Sequence, residues 1–153
     1  MNPNFSENDR LIITHLSSEP ESGDVLVMNS HGLNETIIKR CIGVEGDKIR
    51  IDYNTNTVTV NGEAISNDYI NGTMYDKYKF NQDYSVDAGV YEYTVPEDKL
   101  FVMGDNRNNS SDSRAFGQVA YEDICGNVRI QVKYGETIWQ SIFKALKSYL
   151  SVS

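Results

Sequence analysis

An eleven-residue polar stretch at residues 104–114, GDNRNNSSDSR, most constrains the fold, and it directly follows the apolar run LFVM at residues 100–103. Its asparagine, aspartate and serine side chains compete with the backbone for hydrogen bonds, so the stretch is predicted to be neither strand nor helix. Its two arginines and two aspartates can form bidentate pairs that fix a loop whose backbone makes few ladder bonds. The stretch therefore predicts an internally braced loop that holds a small side chain in place. A solvated surface loop is the alternative.

A second stretch contains a lysine inside an apolar run. Lys39 interrupts the strand-like residues 37–44, which lead into the turn Gly43-x-x-Gly46-Asp47. Such a lysine either extends outward or lies desolvated, and desolvation would lower its pKa toward the range of a general base. Because lysine is seldom fully buried, the residues alone favour the outward orientation, and both remain open at this point.

Together the two stretches resemble the bacterial type I signal peptidases, membrane-anchored serine proteases with a Ser/Lys dyad. Residues 39–47, KRCIGVEGD, are similar to the lysine box of that family. Residues 104–114 match its pattern GDNRxNSxDSR at every fixed position. The resemblance covers about residues 1–128 and implies a serine endopeptidase that removes N-terminal signal peptides from secreted proteins. Its partners would be the signal peptides of secretory preproteins.

The resemblance also implies a role for each residue of the two boxes. Lys39 would be the general base, and Ser110 would orient its amine. The residues expected to brace the site are Asp105, Arg107, Asp112 and Arg114. Apolar residues near Lys39 would lower its pKa and line pockets for small substrate side chains, although core packing explains such residues equally well. The candidates for these pockets are Ile38, Ile42 and Met28. The resemblance implies no cofactor and no metal.

The first residues resemble the nucleophile box of the same family, Ser-Met-x-Pro followed by Asp about five residues later. Met1, Pro3 and Asp9 fit this box in register, which places the nucleophilic serine immediately before Met1. Ser6 lies on the wrong side of Pro3 for that role. The resemblance therefore implies a catalytic domain cut after its nucleophile and inactive as given.

The sequence leaves two alternatives to a cut peptidase. One is a homologue that has lost its serine and binds peptides without cutting them. The other is a related self-cleaving Ser/Lys repressor domain, which the complete box at residues 104–114 and the absence of a DNA-binding segment disfavour. An intact Lys39 and Ser110 favour the cut peptidase, because a peptide-binding protein gains nothing from a desolvated amine.

Composition limits the class of protein. A length of 153 residues with 39% hydrophobic residues suits a single domain, residues 1–153, with one core. The net charge of -8 argues against nucleic acid as a partner. No apolar run reaches the roughly 18 residues needed to span a bilayer, so the chain as given is expected to be soluble. The resemblance implies a full-length protein in the cell membrane, with its catalytic domain on the extracytoplasmic side.

Metal-ligating residues are few. His15 and His31 lack acidic or thiol neighbours at ligand spacing and are predicted to lie on the surface, so the sequence favours neither a metal site nor a histidine triad. Cys41 and Cys125 are too few for a four-thiolate site. They are predicted to be small buried hydrophobes, with a single disulfide as the alternative.

Alternating apolar and polar runs predict a mainly β fold, with antiparallel sheets coiled into a barrel-like core and one C-terminal helix. Residues 48–60 predict a hairpin, and Asn61-Gly62 predicts a type I′ turn. Residues 66–90 predict an insert or long excursion. Residues 137–150 predict an amphipathic helix of roughly 21 Å, which is too short to span a membrane. Its apolar face is expected either to lie in a membrane surface or to pack on protein.

Overall fold

The computed structural model describes residues 1, 3–15, 19–31, 33–70, 72–75 and 84–150, with the backbone alone for residues 148–150. The strands are β1 (Arg10–Thr14), β2 (Val25–Ser30), β3 (Glu35–Gly43), β4 (Lys48–Asp52), β5 (Thr57–Val60), β6 (Glu63–Ala64), β7 (Ser85–Asp87), β8 (Val90–Thr94), β9 (Lys99–Met103), β10 (Val119–Ala120) and β11 (Ile124–Val132). The α-helices are α1 (Ser113–Phe116) and α2 (Ile138–Leu150), and a 3₁₀ turn covers Tyr121–Asp123.

The strands form two antiparallel sheets. The larger sheet has the order β1-β11-β2-β3-β9-β10, and the smaller has the order β6-β5-β4-β8-β7. The mainly β prediction and the C-terminal helix are confirmed. Within the described residues neither sheet closes on itself, so the barrel-like core consists of two open sheets.

The predicted hairpin and turn are both present in the smaller sheet. β4 pairs with β5 in continuous register from Ile49↔Val60 to Asp52↔Thr57. Asn61 and Gly62 have φ of 53° and 88°, and two successive positive φ values are what a type I′ turn requires. The alternation in the sequence is therefore sufficient to predict this part of the fold.

Apolar side chains pack on both faces of the larger sheet. One cluster lies between the two sheets and contains Ile42, Ile49, Ile51, Val58, Met74, Tyr91, Tyr93, Val95, Phe101 and Met103. The other face carries a cluster of Leu26, Met28, Cys41, Leu100, Val102 and Val119. Because successive side chains of a strand point to opposite faces, Lys39 and Arg40 are directed to opposite sides of this sheet.

Only part of the excursion at residues 66–90 is described. β7 pairs with β8, and Met74 is buried in the core cluster between the sheets. Tyr75 and Tyr84 are exposed, whereas Tyr78 lies outside the described residues. Tyr84 nevertheless packs edge-to-face on the buried Tyr93, with ring centres 4.9 Å apart. The described part therefore covers the core through Met74 and Tyr84.

Helix α2 begins where the sequence predicts. The Thr137 hydroxyl accepts from the Gln140 N–H at 3.3 Å, and the Gln140 carboxamide accepts from the Thr137 N–H at 2.8 Å. This reciprocal capping box satisfies two backbone donors at the helix start. No helix among the described residues is long and apolar enough to cross a membrane.

The cysteines are both free, and the two histidines lie on the surface. Cys41 is buried, and burial raises the pKa of its thiol to about 12, whereas Cys125 is partly exposed. His31 has no acidic neighbour at ligand spacing in the sequence, yet its Nε2 lies 2.7 Å from Asp123 Oδ1 in the fold. Residues 92 positions apart in the chain meet there, so spacing could not reveal the contact. Among the described residues no three His, Cys, Asp or Glu side chains form a group that could hold a metal ion.

Candidate active site

Lys39 lies in the middle of β3, opposite Leu26 of β2. Directly opposite residues share a face, so Lys39 is on the same side of the sheet as Leu26 and Met28, both fully buried. The lysine itself is half-buried. Burial is the main reason why the pKa of its amine is lowered; the charge of Asp112 opposes this shift and that of Arg114 adds to it. Of the two orientations left open by the sequence, the structure has the desolvated one.

Ser110 and Lys39 meet at Gly104. A Cβ on Gly104 would lie 2.2 Å from Ser110 Oγ and 3.7 Å from Lys39 Nζ. The hydroxyl and the amine therefore both lie close to the bare Cα of this glycine, and a side chain there would clash with Ser110. Ser110 is itself buried. Gly104 is thus required for close approach rather than for an unusual φ.

Asp112 and Arg114 brace the loop from within, as the sequence predicts for such a pair. The carboxylate accepts from Arg114 Nε and Nη2, both at 2.9 Å, and both side chains are fully buried. Asp112 also accepts from the Gly104 N–H at 3.0 Å and caps α1 through the Arg114 N–H. The same carboxylate therefore holds the two ends of the loop together and fixes Gly104.

Asp105 pairs outside the loop, which the sequence analysis did not anticipate. Its carboxylate accepts from Arg40 Nε and Nη2 of β3, both at 2.9 Å. The reason is the strand register: Arg40 lies opposite Met103, two residues before Asp105. This bidentate pair is buried and ties the start of the loop to the residue after Lys39.

Arg107 is fully buried but makes a different kind of contact. Its Nη1 lies 3.6 Å from the Met74 sulfur, and its guanidinium carbon is 5.9 Å from the centre of the Tyr69 ring. The guanidinium of Arg40 stacks on the same ring at 4.1 Å. Arg107 therefore fixes the polar loop to residues 66–90. Tyr69, which belongs to that segment, also contacts Arg40 of the Arg40–Asp105 pair.

The beginning of the chain lies at the same place. Burial, followed by the charge of Lys39, lowers the pKa of the Met1 amino group, while Asp105 raises it. The Met1 sulfur accepts from the Asp105 N–H at 3.5 Å. Asn4 donates to Asp105 Oδ2 and to the Tyr69 carbonyl, both at 2.8 Å. These contacts hold the beginning of the chain against Asp105, next to the Arg40–Asp105 pair.

Comparison with known proteins assigns a family to this arrangement. The family model described as signal peptidase, peptidase S26, matches residues 1–133, which include Lys39 and the whole polar loop. The chain belongs to the signal peptidase family. The matched residues end before α2.

Individual relatives agree with this assignment. The chain is 34% identical over 143 residues to a probable signal peptidase I-2 of Synechocystis, covering 86% of this chain and 58% of that relative. It is 33% identical over 137 residues to signal peptidase IB of Staphylococcus aureus, covering 84% of this chain and 70% of that one. A crystal structure of a signal peptidase I from Enterococcus faecalis superposes with a TM-score of 0.57 at 27% identity, covering 73% of this chain and 98% of that one. The chain thus spans 58% of the length of the Synechocystis relative.

The candidate pocket residues of this signal peptidase family member lie in different surroundings. Met28 is buried in the cluster on the Lys39 face, where it contributes to the apolar surroundings of the amine. Ile42 is buried in the cluster between the sheets, on the opposite side of β3. Ile38 is half-buried in β3, directly before Lys39. Their role in substrate binding stays a prediction.

Several residues of the site were missed by the sequence analysis. They are Asn4, Leu26, Arg40, Tyr69 and Gly104. Arg40 and Gly104 are fixed positions of the two family boxes, so their presence there was an available signal. Asn4, Leu26 and Tyr69 enter only through strand pairing and contacts between distant segments, for which the sequence carries no local pattern.

Proposed function

We propose that this chain is the catalytic domain of a serine endopeptidase that removes N-terminal signal peptides from secreted proteins, with Lys39 as general base. The observation that carries the proposal is the half-buried Lys39 amine, its pKa lowered, beside the Ser110 hydroxyl at Gly104. A lysine can accept a proton from a serine hydroxyl only when the amine is uncharged at working pH. Ser110 and the Asp112–Arg114 pair would act as positioning residues for that amine.

The nucleophile in this proposal is a serine joined directly to Met1. Support comes from the Met1 amino group, whose pKa responds to the charge of Lys39. A serine attached there would have its backbone carbonyl at the Met1 nitrogen and its hydroxyl within reach of the base. Asn4 and Asp105 would hold that serine in place through their contacts with the first residues.

The reaction then follows from the two groups. As the serine oxygen attacks the scissile carbonyl, its proton passes to Lys39 Nζ. The protonated lysine gives this proton to the departing amine as the peptide bond breaks, which leaves an acyl-enzyme. A water molecule, deprotonated by the neutral lysine, hydrolyses the ester and restores the serine. The oxyanion would be stabilised by the backbone N–H of the nucleophile and a neighbouring hydroxyl.

The substrate would bind as an added strand along the free part of β3. Among the described residues, β2 pairs with β3 from Glu35 to Arg40, whereas β9 pairs with β3 only from Arg40 to Gly43. The Cys41 N–H donates to the carbonyl of Asp24, directly before β2. Because the backbone groups of successive residues in a strand point to alternate sides, those of Ile38 point away from β2, toward the edge of β3 that β9 leaves unpaired. An extended signal peptide could hydrogen-bond there and reach Lys39 at the end of the free edge. Buried Met28 and Leu26 would restrict the neighbouring pockets to small side chains.

The remaining parts of the proposal concern location. A membrane anchor would precede the nucleophile and place the domain on the extracytoplasmic side of the cell membrane. Membership of the signal peptidase family supports this placement.

The decisive experiment uses a Ser-fused chain, in which a serine and a short preceding segment are joined to Met1. Incubation with a signal-peptide substrate should give cleavage after the small residue at the cut site, whereas fusion of alanine in place of serine should give none. A folded Ser-fused chain that binds the peptide but does not cut it would instead support a peptide-binding homologue.

Replacing Gly104 with alanine in the Ser-fused chain should lower kcat/KM by about 100-fold, because the added Cβ would clash with Ser110 and push its hydroxyl out of the position that orients Lys39. The matched control is Gly126→Ala, whose Cβ would lie 2.6 Å from the Thr14 carbonyl oxygen, away from Lys39. This control should lose stability while its folded fraction keeps its activity. Equal losses of specific activity in the two variants would contradict the role of Gly104.

The pH profile of kcat/KM should contain a transition that is caused by the titration of the Lys39 amine. Activity requires the neutral amine, so it should fall as pH falls through the pKa of Lys39 and rise above it. Since burial lowers this pKa, the midpoint should lie below the ordinary lysine value of 10.5. A pH–rate profile of the Ser-fused chain measures it, and a limb centred at or above 10.5 would contradict the desolvated base.

A further inference from the structure

Helix α2 carries an apolar surface that faces solvent. The α2 stripe consists of Trp139, Phe143 and Leu146, which are 76%, 72% and 57% exposed. Their spacing of four and three residues aligns them along one side of the helix. An aligned stripe of large exposed apolar residues is characteristic of an interaction surface.

The side of α2 that packs on the protein is a different one. The helix lies against β11, and Ser141 is buried, with its hydroxyl donating to Glu136 Oε2 at 3.2 Å. At about 100° per residue, Ser141 is roughly 160° around the helix axis from Trp139 and from Phe143. The packing expected as one alternative from the sequence therefore uses a small polar side and leaves the stripe uncovered by the described residues.

The segment that carries this surface is basic although the chain as a whole is acidic. Residues 133–147 contain three lysines, Lys133, Lys144 and Lys147, against one acid, Glu136, in a chain of net charge -8. Glu136 pairs with Lys144 and accepts from Ser141. Lys147 lies only about 40° around the axis from Phe143. Lys147 therefore borders the stripe, whereas Lys144 lies about 100° from Phe143 and pairs with Glu136. The positive charge of Lys147 at this border complements a negatively charged partner.

We propose that α2 lies in the surface of an anionic bilayer, with the stripe among the upper acyl chains and Lys147 at the level of the lipid phosphates. A 13-residue helix with Trp, Phe and Leu on one side and Lys147 beside them has the composition of an interfacial helix rather than a spanning one. The basic border favours lipid over a second copy of this chain, which is acidic as a whole. Because α2 follows the residues matched by the family model, this inference does not rest on the proposed protease activity.

Trp139 is the single tryptophan of the chain, so its fluorescence reports on the stripe directly. The 153-residue chain would be titrated with vesicles of phosphatidylcholine containing about a quarter phosphatidylglycerol. The emission should shift to the blue on binding, and the shift should weaken with added salt. The double variant Phe143→Ser, Leu146→Ser keeps the reporter and should bind at least roughly tenfold more weakly. Lys147→Gln should weaken binding about fivefold.

The matched control is Val86→Ser on β7 of the smaller sheet. This variant replaces an apolar residue that is 53% exposed and lies outside α2, so it should leave vesicle binding unchanged. Three results would overturn the proposal. One is an unchanged emission of the folded chain with the anionic vesicles. The second is a loss in the Val86 variant equal to that in the double variant. The third is a blue shift that grows with protein concentration without lipid, together with a dimer in sedimentation, which would assign the stripe to a second copy.

Discussion

Replacing Lys39 with methionine in the Ser-fused chain should lower kcat/KM for signal-peptide cleavage by roughly 10²- to 10⁴-fold, the range contributed by a positioned general base. Methionine has similar length and suits the apolar surroundings of Leu26 and Met28, so the fold should be retained. The loss would then reflect the missing proton acceptor rather than unfolding. Initial rates with a peptide substrate, measured at several pH values, would also show whether the Lys39-dependent limb disappears.

The matched control is Lys48→Met. Lys48 is an exposed lysine in the smaller sheet, where it pairs with Glu92 at 2.9 Å. This variant should keep nearly full activity. A Lys39→Met enzyme within about tenfold of the unsubstituted Ser-fused chain would be inconsistent with lysine as the base, since such a loss lies below the range of general-base catalysis.

Replacing Asp112 with alanine should lower the free energy of unfolding by about 3–5 kcal/mol, the cost of removing one partner from a buried ion pair. Arg114 would lose its carboxylate contacts in a fully buried position, and the Gly104 N–H would lose its acceptor. The α1 helix would also lose its cap. Urea denaturation of the 153-residue chain measures the change without any assay of activity.

The comparison for this prediction is Glu92→Ala. Glu92 pairs with Lys48 and Arg50 at the surface, where ion pairs contribute at most about 1 kcal/mol. The two variants therefore remove the same kind of interaction in different surroundings. If both lose less than about 1 kcal/mol, the Asp112–Arg114 pair does not brace the loop as inferred.

The parts of the structure that the sequence predicts are those with a local signal. The hairpin of β4 and β5 follows from alternation, and its turn from Asn61-Gly62. The polar stretch forms a loop through residue 112, although its last two residues begin α1 because Asp112 caps that helix. The pairing of Asp112 with Arg114 also spans only two residues, so the stretch itself could suggest it.

The parts that escape prediction depend on strand order and register. Whether Lys39 extends outward or lies desolvated is decided by Leu26 of β2 opposite it and by the loop that follows β9. Arg40 pairs with Asp105 because β3 and β9 are neighbours, which the residues between them do not indicate. The exposure of the α2 stripe likewise depends on which side of the helix packs on β11. The amphipathic pattern predicts that α2 has an apolar face but does not predict what that face contacts.

The contact between Arg40 and Asp105 has a consequence for the fidelity of folding. A slip of β3 by one residue would reverse the faces of all its side chains, exchanging Lys39 for an arginine that cannot lose its proton at working pH. Such a slip would also separate the buried Asp105 from its bidentate partner, leaving an uncompensated charge inside the protein. The misregistered sheet would therefore be unstable and, under the proposed mechanism, also inactive. The Arg40–Asp105 salt bridge therefore favours the one register of β3 in which Lys39, whose amine can lose and regain a proton, lies in the site.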